Sequence, residues 1–268
     1  MLEITISNAK KVYQFTTILQ NLKGISNELK LDCNEAGLYA QGMDSAHVCL
    51  FELVIKKDWF DSYICSENCS MGINCEMLYK IISCIKEDQY IDMKHNPKIS
   101  KLIIELLGNS YDKSFELSLI DIDSEMVELP DKEYTADIRF VSKDYAELIN
   151  QLSIFGNKLN IVCNDDIVLN SENEFGKVDI IVKENDIIEY MMEEDSEIDC
   201  CYSIKYINMI TKFANVNKEI GIHISNTFPI KFMYNLDDWK DEDNDDNTTH
   251  SIAKNYIGFY LAPLEDDD

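Results

Sequence analysis

The chain has 268 residues, of which 24 are Lys or Arg and 50 are Asp or Glu, so its formal net charge is −26 at pH 7. Hydrophobic residues make up 46% of the chain, which is typical of a globular protein and excludes a disordered acidic chain. The net charge also argues against a simple DNA-coating protein, which is expected to be basic. Apolar runs are short and the first residues lack the order of a secretory signal, so we expect neither a membrane span nor export.

Cysteines, histidines and carboxylates are present, but they form no recognisable metal or catalytic motif. Cys65, Cys69 and Cys75 fit no common zinc-finger spacing, so we interpret them as structural thiols of a protein in a reducing compartment. The acidic run that begins at Asp241 lacks the glycine and the glutamate of a calcium loop. No nucleotide-binding, serine-hydrolase or metalloprotease motif occurs in the sequence. We therefore expect no cofactor, no metal and no enzymatic activity.

Short β-rich runs and helical patterns alternate along the chain. In the first half, helical spacing connects Val12, Phe15 and Leu19, and later Leu78 and Ile81. The β-rich runs of this half span residues 3–7, 29–33, 37–40, 47–55, 90–93, 101–107 and 114–120. Those of the second half span residues 135–140, 159–163, 167–170, 177–182, 219–224, 230–234 and 256–262. The predicted fold class is α+β, with more strand than helix.

The two halves of the sequence repeat the same order of elements. A shift of 130 residues places Phe15 on Tyr145, so that one helical pattern falls on another. The same shift places residues 29–35, a β-rich run and the turn after it, on residues 159–165. Apolar periodicity recurs by chance in many sequences, but the matched Cys-Asn-acid turn favours a true duplication.

Four further motifs occur in order along the chain. They are QGMDSAHV at residues 41–48, MGIN at 71–74, LIDIDSE at 119–125 ahead of Leu129-Pro130, and YLAP at 260–263. Together these motifs closely resemble the proliferating cell nuclear antigen (PCNA) family, the eukaryotic-type DNA sliding clamps. The resemblance covers essentially the whole chain.

The resemblance implies two similar β-rich clamp domains, each with two helices, in a chain that trimerises head to tail into a closed ring around duplex DNA. The N-terminal domain would span residues 1–118, the interdomain connector 119–133, and the C-terminal domain 134–268, with an acidic insertion at 237–250 and an acidic tail. Such a homotrimer is a non-enzymatic processivity factor of DNA replication and repair. It would act in the nucleus, or in a viral replication compartment if the protein is viral.

Basic residues on the helices are the implied contacts to DNA, which would be bound without sequence preference. These residues are Lys10, Lys11, Lys23, Lys80, Lys86, Lys143, Lys205 and Lys212, with Arg139 on a neighbouring strand. Solvated surface lysines are the alternative. Glu147 and Asn150 stand where the family usually carries basic residues, so we expect a less positive channel and salt-sensitive DNA contact. Asp165 stands where many relatives carry the lysine used for ubiquitin attachment, which makes that regulation doubtful here.

A pocket for partner proteins is also implied by the resemblance. Its matching residues are Met43, His47, Val48, Leu50, Val127, Leu129, Pro130, Tyr134, Pro229, Tyr260, Ala262 and Pro263. DNA polymerase, the clamp loader and other proteins would insert a short motif with a Gln, an aliphatic residue and two aromatic residues. The alternative, strongest for Val48 and Leu50, is that these side chains only complete the core.

The subunit interface would pair residues 110–117 of one protomer with residues 177–183 of the next. Its candidate residues are Phe115, Leu117, Val178, Ile180 and Val182. Internal core strands are the alternative for these two runs. Two other functions also stay open: a checkpoint-type subunit of a heterotrimeric clamp, and an acidic DNA mimic or histone-chaperone-like protein, which the charge of −26 suggests. No membrane partner is expected.

Overall fold

The computed structural model of the protein describes residues 1–109, 111–123, 127, 129, 133–238 and 255–264. These residues contain four α-helices and eighteen β-strands, together with three short 3₁₀ segments. The chain divides into two compact units. The first unit comprises residues 1–44, 51–126 and 235–257, and the second comprises residues 45–50, 127–234 and 258–268.

The first unit is a β-rich body with two helices, α1 (Ala9–Leu22) and α2 (Cys75–Ile82), which contact each other. Its strands are β1 (Leu2–Ile6), β2 (Glu28–Asn34), β3 (Gly37–Met43), β4 (Cys49–Lys56), β5 (Ser62–Cys65), β6 (Cys69–Asn74), β7 (Gln89–His95), β8 (Lys101–Gly108) and β9 (Lys113–Ser118). In space these strands follow the orders β5-β1-β7-β8-β9 and β4-β3-β2-β6.

The second unit repeats this plan with helices α3 (Ser142–Leu152) and α4 (Ile204–Thr211), which also contact each other. Its strands are β10 (Ala136–Val141), β11 (Lys158–Cys163), β12 (Ile167–Asn173), β13 (Gly176–Val182), β14 (Glu189–Met192), β15 (Ile198–Ser203), β16 (Glu219–Ile224), β17 (Ile230–Asn235) and β18 (Tyr256–Leu261). They follow the orders β14-β10-β16-β17-β18 and β13-β12-β11-β15. Each order matches its counterpart in the first unit, so the predicted α+β class and the duplicated fold are confirmed.

Apolar alternation decides which face of each strand forms the core. In β1, Leu2, Ile4 and Ile6 are buried while the residues between them are half-exposed. In β10, Phe140 occupies the equivalent buried side, and its ring centroid lies 5.2 Å from that of Tyr145 in α3. The helices of each unit therefore cover the apolar face of a sheet and leave the opposite face to the polar residues of the strands.

Helix α1 begins where Asn8 provides a cap. The Asn8 side-chain oxygen accepts hydrogen bonds from the backbone N–H groups of Lys10 and Lys11, at 3.0 and 3.3 Å. At 14 residues, α1 is the longest described helix. In the parts of the chain that the structure describes, no helix is long and apolar enough to cross a membrane.

Four strands were not predicted from the sequence: β5, β6, β14 and β15. They are equivalent pairs in the two units, since β5 and β14 flank β1 and β10, whereas β6 and β15 flank β2 and β11. No residue of β5 or β14 is fully buried, so neither strand carries an apolar alternation that the sequence could display.

Gly72 in β6 is where the chain after β9 contacts the sheet of the first unit. The N–H of Ile120 donates to the Gly72 carbonyl at 2.9 Å, and the two residues form an isolated antiparallel bridge. A Cβ atom on Gly72 would lie 2.1 Å from the Ile120 carbonyl oxygen and 2.8 Å from Ile122 Cγ1. Only glycine permits this approach of the two backbones.

Replacing Gly72 by Ala is expected to lower the free energy of unfolding by about 1–3 kcal/mol, the usual cost of overpacking, because the backbone at Ile120 must move. Thermal and denaturant unfolding measure this effect. The control is Gly176→Ala, whose added Cβ would meet only the Phe155 ring at 3.6 Å. Equal stability of both variants and the parent would show that the contact between Gly72 and Ile120 is not tight.

Candidate functional site

Strands β9 and β13 end their sheets with edges that are open in the described parts of the chain. As far as the structure describes the chain, β9 pairs only with β8, and β13 pairs only with β12. The other end strands differ: β5 and β14 have four residues each, and the end strands β6 and β15 receive hydrogen bonds from Ile120 and from Leu264. Long open edges attract further strands, so natural proteins usually shorten or cover them. β9 and β13, with six and seven residues, are therefore candidates for pairing with another chain.

All five side chains predicted for the subunit interface belong to β9 or β13, but they differ in exposure. Phe115, Val178 and Ile180 are half-buried, so each keeps surface that a partner can cover. Leu117 and Val182 are buried in the core of their own units. Their side chains add stability to the fold and are not accessible to a neighbouring chain.

Three exposed apolar side chains of the second unit were missed by the sequence interpretation. Ile181 is 60% exposed, Ile154 after α3 is 74% exposed, and Phe175 before β13 is 89% exposed. A cavity of about 330 Å³ lies between α3 and β13, with Leu148 and Ile180 in its lining. Adjacent Ile180 and Ile181 break the apolar alternation of the strand, which is the signal that could have identified this surface.

The predicted DNA-contacting lysines of the first unit lie on or beside its helices. Each contacts an aromatic ring, a carboxylate or a backbone carbonyl of the same unit. Lys23 Nζ lies 3.1 Å from the centroid of the Tyr79 ring, and Lys86 Nζ lies 4.4 Å from the Tyr111 ring. Lys10 forms an ion pair with Asp238 at 2.7 Å, and Lys80 forms one with Glu76 at 2.8 Å. Lys11 donates to the Trp59 carbonyl and lies 5.5 Å from its ring centroid.

In the second unit, Lys143, Lys205 and Lys212 are exposed on the helices or at their ends. Lys205 Nζ lies 5.4 Å from the Tyr206 ring centroid. Helix α3 also exposes Asp144 and Glu147, which reduce the positive potential near Lys143.

Arg139 is not brought together with the helix lysines. It belongs to the polar face of β10, opposite the face that carries Phe140 and packs on α3. Its guanidinium lies between two carboxylates, 3.1 Å from Glu189 and 3.7 Å from Glu219. These pairs offset its charge, so Arg139 has little positive charge to offer to a phosphate.

The predicted partner pocket begins at the turn between β3 and β4. Ser45, Ala46 and His47 are exposed there, and His47 takes a left-handed backbone conformation with φ of 59°. The Val48 carbonyl accepts a hydrogen bond from the Ala262 N–H at 3.0 Å, which brings the C-terminal segment to the turn. The Leu50 side chain is buried.

Hydrogen bonds connect the C-terminal segment to the other predicted pocket residues of the second unit. The Leu264 N–H donates to the Cys201 carbonyl of β15 at 2.8 Å. The neighbouring Cys200 lies against the loop after β16, where its Sγ is 3.3 Å from Asn226 Oδ1. In the same loop Ser225 Oγ is 3.5 Å from Thr135 Oγ1. Turn residues 45–48, residues 262–264, the loop at 225–229 and Thr135 are thus linked within the second unit through β15.

Tyr134 lies beside a polar pair in this region. Its ring centroid lies 5.7 Å from that of His223, whose Nδ1 contacts Asp137 Oδ1 at 2.5 Å. Burial, together with the negative charge of Asp137, raises the pKa of Tyr134 to about 12. The phenol is therefore protonated at neutral pH. The pair of His223 and Asp137 was not among the predicted residues, because only the pairing of β10 with β16 brings them face to face.

The apolar side chains of this region are partly accessible to solvent. Val127, Pro229 and Pro263 are exposed, and Leu129 and Tyr260 are half-buried. The ring of Tyr260 lies 5.5 Å from Lys231 Nζ. Apolar side chains beside backbone groups suit an extended peptide with apolar anchors. Of the other predicted residues, half-buried Met43 ends β3 in the first unit, and Pro130 lies outside the described residues.

Comparison with protein-family models gives two matches that follow each other along the chain. Residues 1–126 match the model of the proliferating cell nuclear antigen N-terminal domain. Residues 128–242 match the model of the proliferating cell nuclear antigen C-terminal domain.

Proposed function

The chain belongs to the proliferating cell nuclear antigen family and has the fold of its DNA sliding clamps, and on that premise we propose that it works as a ring-shaped homotrimer. The ring encircles duplex DNA and tethers DNA polymerase and other replication and repair proteins, as a processivity factor. The clamp itself catalyses no reaction. Its place of action is the nucleus, or the viral replication compartment if the protein is viral.

The observation that carries this proposal is that, among the residues the structure describes, each unit has one long open strand edge. β9 and β13 differ in sequence and in their neighbours, so pairing β9 of one protomer with β13 of the next is a head-to-tail contact. Such contacts close into a ring when the rotation between subunits permits it. Phe115 beside one edge, with Ile180 and Ile181 beside the other, supplies the apolar surface that stabilises the contact.

Weak electrostatic attraction to DNA agrees with a ring that holds DNA by topology. The helix lysines lie close to aromatic rings and carboxylates of the same unit, and the whole chain carries a charge of −26. Lysine–phosphate contacts without base recognition let a ring slide along the duplex. Tethering then raises the effective concentration of the polymerase at the primer end without a tight DNA complex.

The partner site supports the same function. Val127, Leu129 and Tyr260 offer partly exposed apolar surface on which the apolar side chains of an extended peptide can pack. DNA polymerase, the clamp loader and other proteins with a Gln, aliphatic and aromatic motif are the proposed occupants.

Two measurements test the function as a whole. Light scattering across a dilution series gives the mass, and binding to linear duplex with free or bulky blocked ends tests encirclement. We expect a trimer that threads onto open-ended duplex and is excluded when both ends are blocked. A monomer that joins a ring only with different subunits indicates a checkpoint-type heterotrimer. A monomer that binds basic proteins and ignores DNA indicates an acidic DNA mimic.

Charge at the open edges is expected to dissociate the trimer. Phe115→Asp and Ile181→Asp each place a carboxylate in an apolar contact, where an unpaired charge costs several kcal/mol. Light scattering is expected to report monomers, and polymerase stimulation is lost with the trimer. The matched control is Ile64→Asp on β5, the opposite end strand of the sheet that contains β9, where Ile64 is 50% exposed. Trimers that persist in both edge variants would place the interface elsewhere.

Neutralising the helix lysines is expected to weaken DNA binding while the trimer mass stays the same. The variant replaces Lys23, Lys80, Lys205 and Lys212 by Ala, and fluorescence anisotropy follows binding to open-ended duplex at increasing salt. Because fewer counterions are released, the dependence of affinity on salt becomes less steep. The control removes four exposed lysines outside the predicted set: Lys56, Lys57, Lys94 and Lys98. An equal loss of DNA affinity in both variants would mean that DNA binding depends only on the net charge of the protein and not on the helix lysines.

Truncating the pocket residues is expected to weaken peptide binding. Leu129→Ala and Tyr260→Ala each remove an anchor, which typically costs about 2 kcal/mol, so a loss of affinity of at least roughly tenfold follows. His47→Ala, at an exposed turn, is expected to have a smaller effect. Calorimetry with a Gln/aliphatic/aromatic peptide measures affinity, and unfolding curves check the fold. Stable trimeric variants that bind like the parent would contradict this pocket.

A further inference from the structure

Three cysteines of the first unit meet where the chain passes from β5 to β6. Cys65 is the last residue of β5, Cys69 is the first residue of β6, and Cys33 lies in β2. The antiparallel pairing of β2 with β6 places Cys33 directly opposite Cys69. Directly paired residues have their side chains on the same face of the sheet, so the two sulfur atoms are neighbours. All three thiols are free.

The spacing of paired strands suits a disulfide between Cys33 and Cys69. Opposite residues in antiparallel strands have Cα atoms about 4.5 to 5.5 Å apart, which lies within the range of about 4.4 to 6.8 Å found in disulfides. Bond formation therefore needs a side-chain rotation and no change of strand register. The bond would fasten the end strand β6 to β2.

Hydrogen bonds make the two thiols chemically different. A hydrogen bond from Cys33 lowers the pKa of Cys69. The same hydrogen bond, with burial, raises the pKa of Cys33 well above its usual range. The proton of the pair thus stays on Cys33, and Cys69 has the thiolate character of a nucleophile.

Accessibility matches this assignment. Cys69 is half-buried at the start of an end strand, whereas Cys33 is buried in the adjacent strand β2. A small oxidant from solvent therefore reaches Cys69 before it reaches Cys33. Cys65 is also half-buried, and its Sγ donates to the Glu67 carbonyl at 3.1 Å, which directs this thiol toward its own turn.

We propose that Cys69 and Cys33 form an oxidant-sensitive dithiol, in which Cys69 reacts with a hydroperoxide and Cys33 resolves the product to a disulfide. The proposal concerns the first unit alone and does not depend on ring formation. In the first step the Cys69 thiolate attacks a peroxide oxygen, the O–O bond breaks, and the leaving oxygen takes a proton, so that hydrogen peroxide yields water and Cys69 sulfenic acid. In the second step Cys33 loses its proton and attacks the Cys69 sulfur. The S–O bond breaks, and the hydroxide that leaves takes that proton as a second water.

The two steps together remove two electrons from the two thiols, and hydrogen peroxide accepts them. A small dithiol reverses the change by exchange through a mixed disulfide. In a reducing compartment the disulfide therefore forms only while peroxide is present.

The test uses the full-length protein, reduced, freed of reductant and treated with a small excess of hydrogen peroxide. Remaining thiols are blocked with N-ethylmaleimide, and peptide mass spectrometry identifies the cross-links. We expect a Cys33–Cys69 disulfide that dithiothreitol removes. The Cys69→Ser variant is expected to lose the cross-link, and the Cys84→Ser variant, which removes an exposed thiol outside the cluster, is expected to keep it. A Cys65–Cys69 cross-link in its place, or oxidation at Cys84 with the pair still reduced, would overturn the proposal.

A second variant tests the order of the two steps. Cys33→Ala removes both the resolving thiol and the hydrogen bond to Cys69, so peroxide is expected to leave a Cys69 sulfenic acid that dimedone traps. The pH profile of Cys69 alkylation is expected to move to higher pH in this variant, because its thiolate has lost a donor. If Cys33→Ala does not fold, the pH profile of alkylation in the parent protein decides. Cys33 reacting before Cys69 there would show that the roles are reversed.

Discussion

The proposed homotrimeric ring depends on the backbone N–H and C=O groups along the outer edges of β9 and β13. In the described parts of the chain, β9 and β13 have a strand partner on one side only. Water satisfies the outer groups of a lone protomer. Strand pairing between protomers would satisfy them with protein and cover Phe115, Ile180 and Ile181 in the same contact. Encirclement of DNA and tethering of partners both require this contact.

Charge limits how such a protein can hold DNA. Carboxylates outnumber Lys and Arg residues about two to one in the chain. Among the predicted DNA-contacting residues, Lys80 forms an ion pair with Glu76, and Arg139 forms ion pairs with Glu189 and Glu219. Exposed ion pairs contribute little to stability, but each offsets positive potential that DNA would otherwise meet. A closed ring removes the need for strong attraction, since DNA inside it leaves only by an end or by ring opening. The acidic body and the clamp function are therefore compatible.

Alternation and burial coincide in predicted strands such as β1. β1 shows Leu2, Ile4 and Ile6 at every second position, and the structure buries all three. β5 and β14 were missed because they bury no side chain fully, and they are strands only because β1 and β10 offer them partners. Their pairing is a contact between distant parts of the chain, which local pattern does not encode.

The sequence by itself determined the duplication, the α+β class and the family, because periodicity and short motifs are local properties of the chain. Only the tertiary structure decided which of the predicted side chains face solvent. It buried Leu50, Leu117 and Val182, placed Arg139 on the sheet face away from α3, and exposed Ile181. The tertiary structure also placed Cys33 directly opposite Cys69 in the pairing of β2 with β6. Burial and cross-strand register depend on residues far away in sequence, so they are fixed only when the sheets assemble.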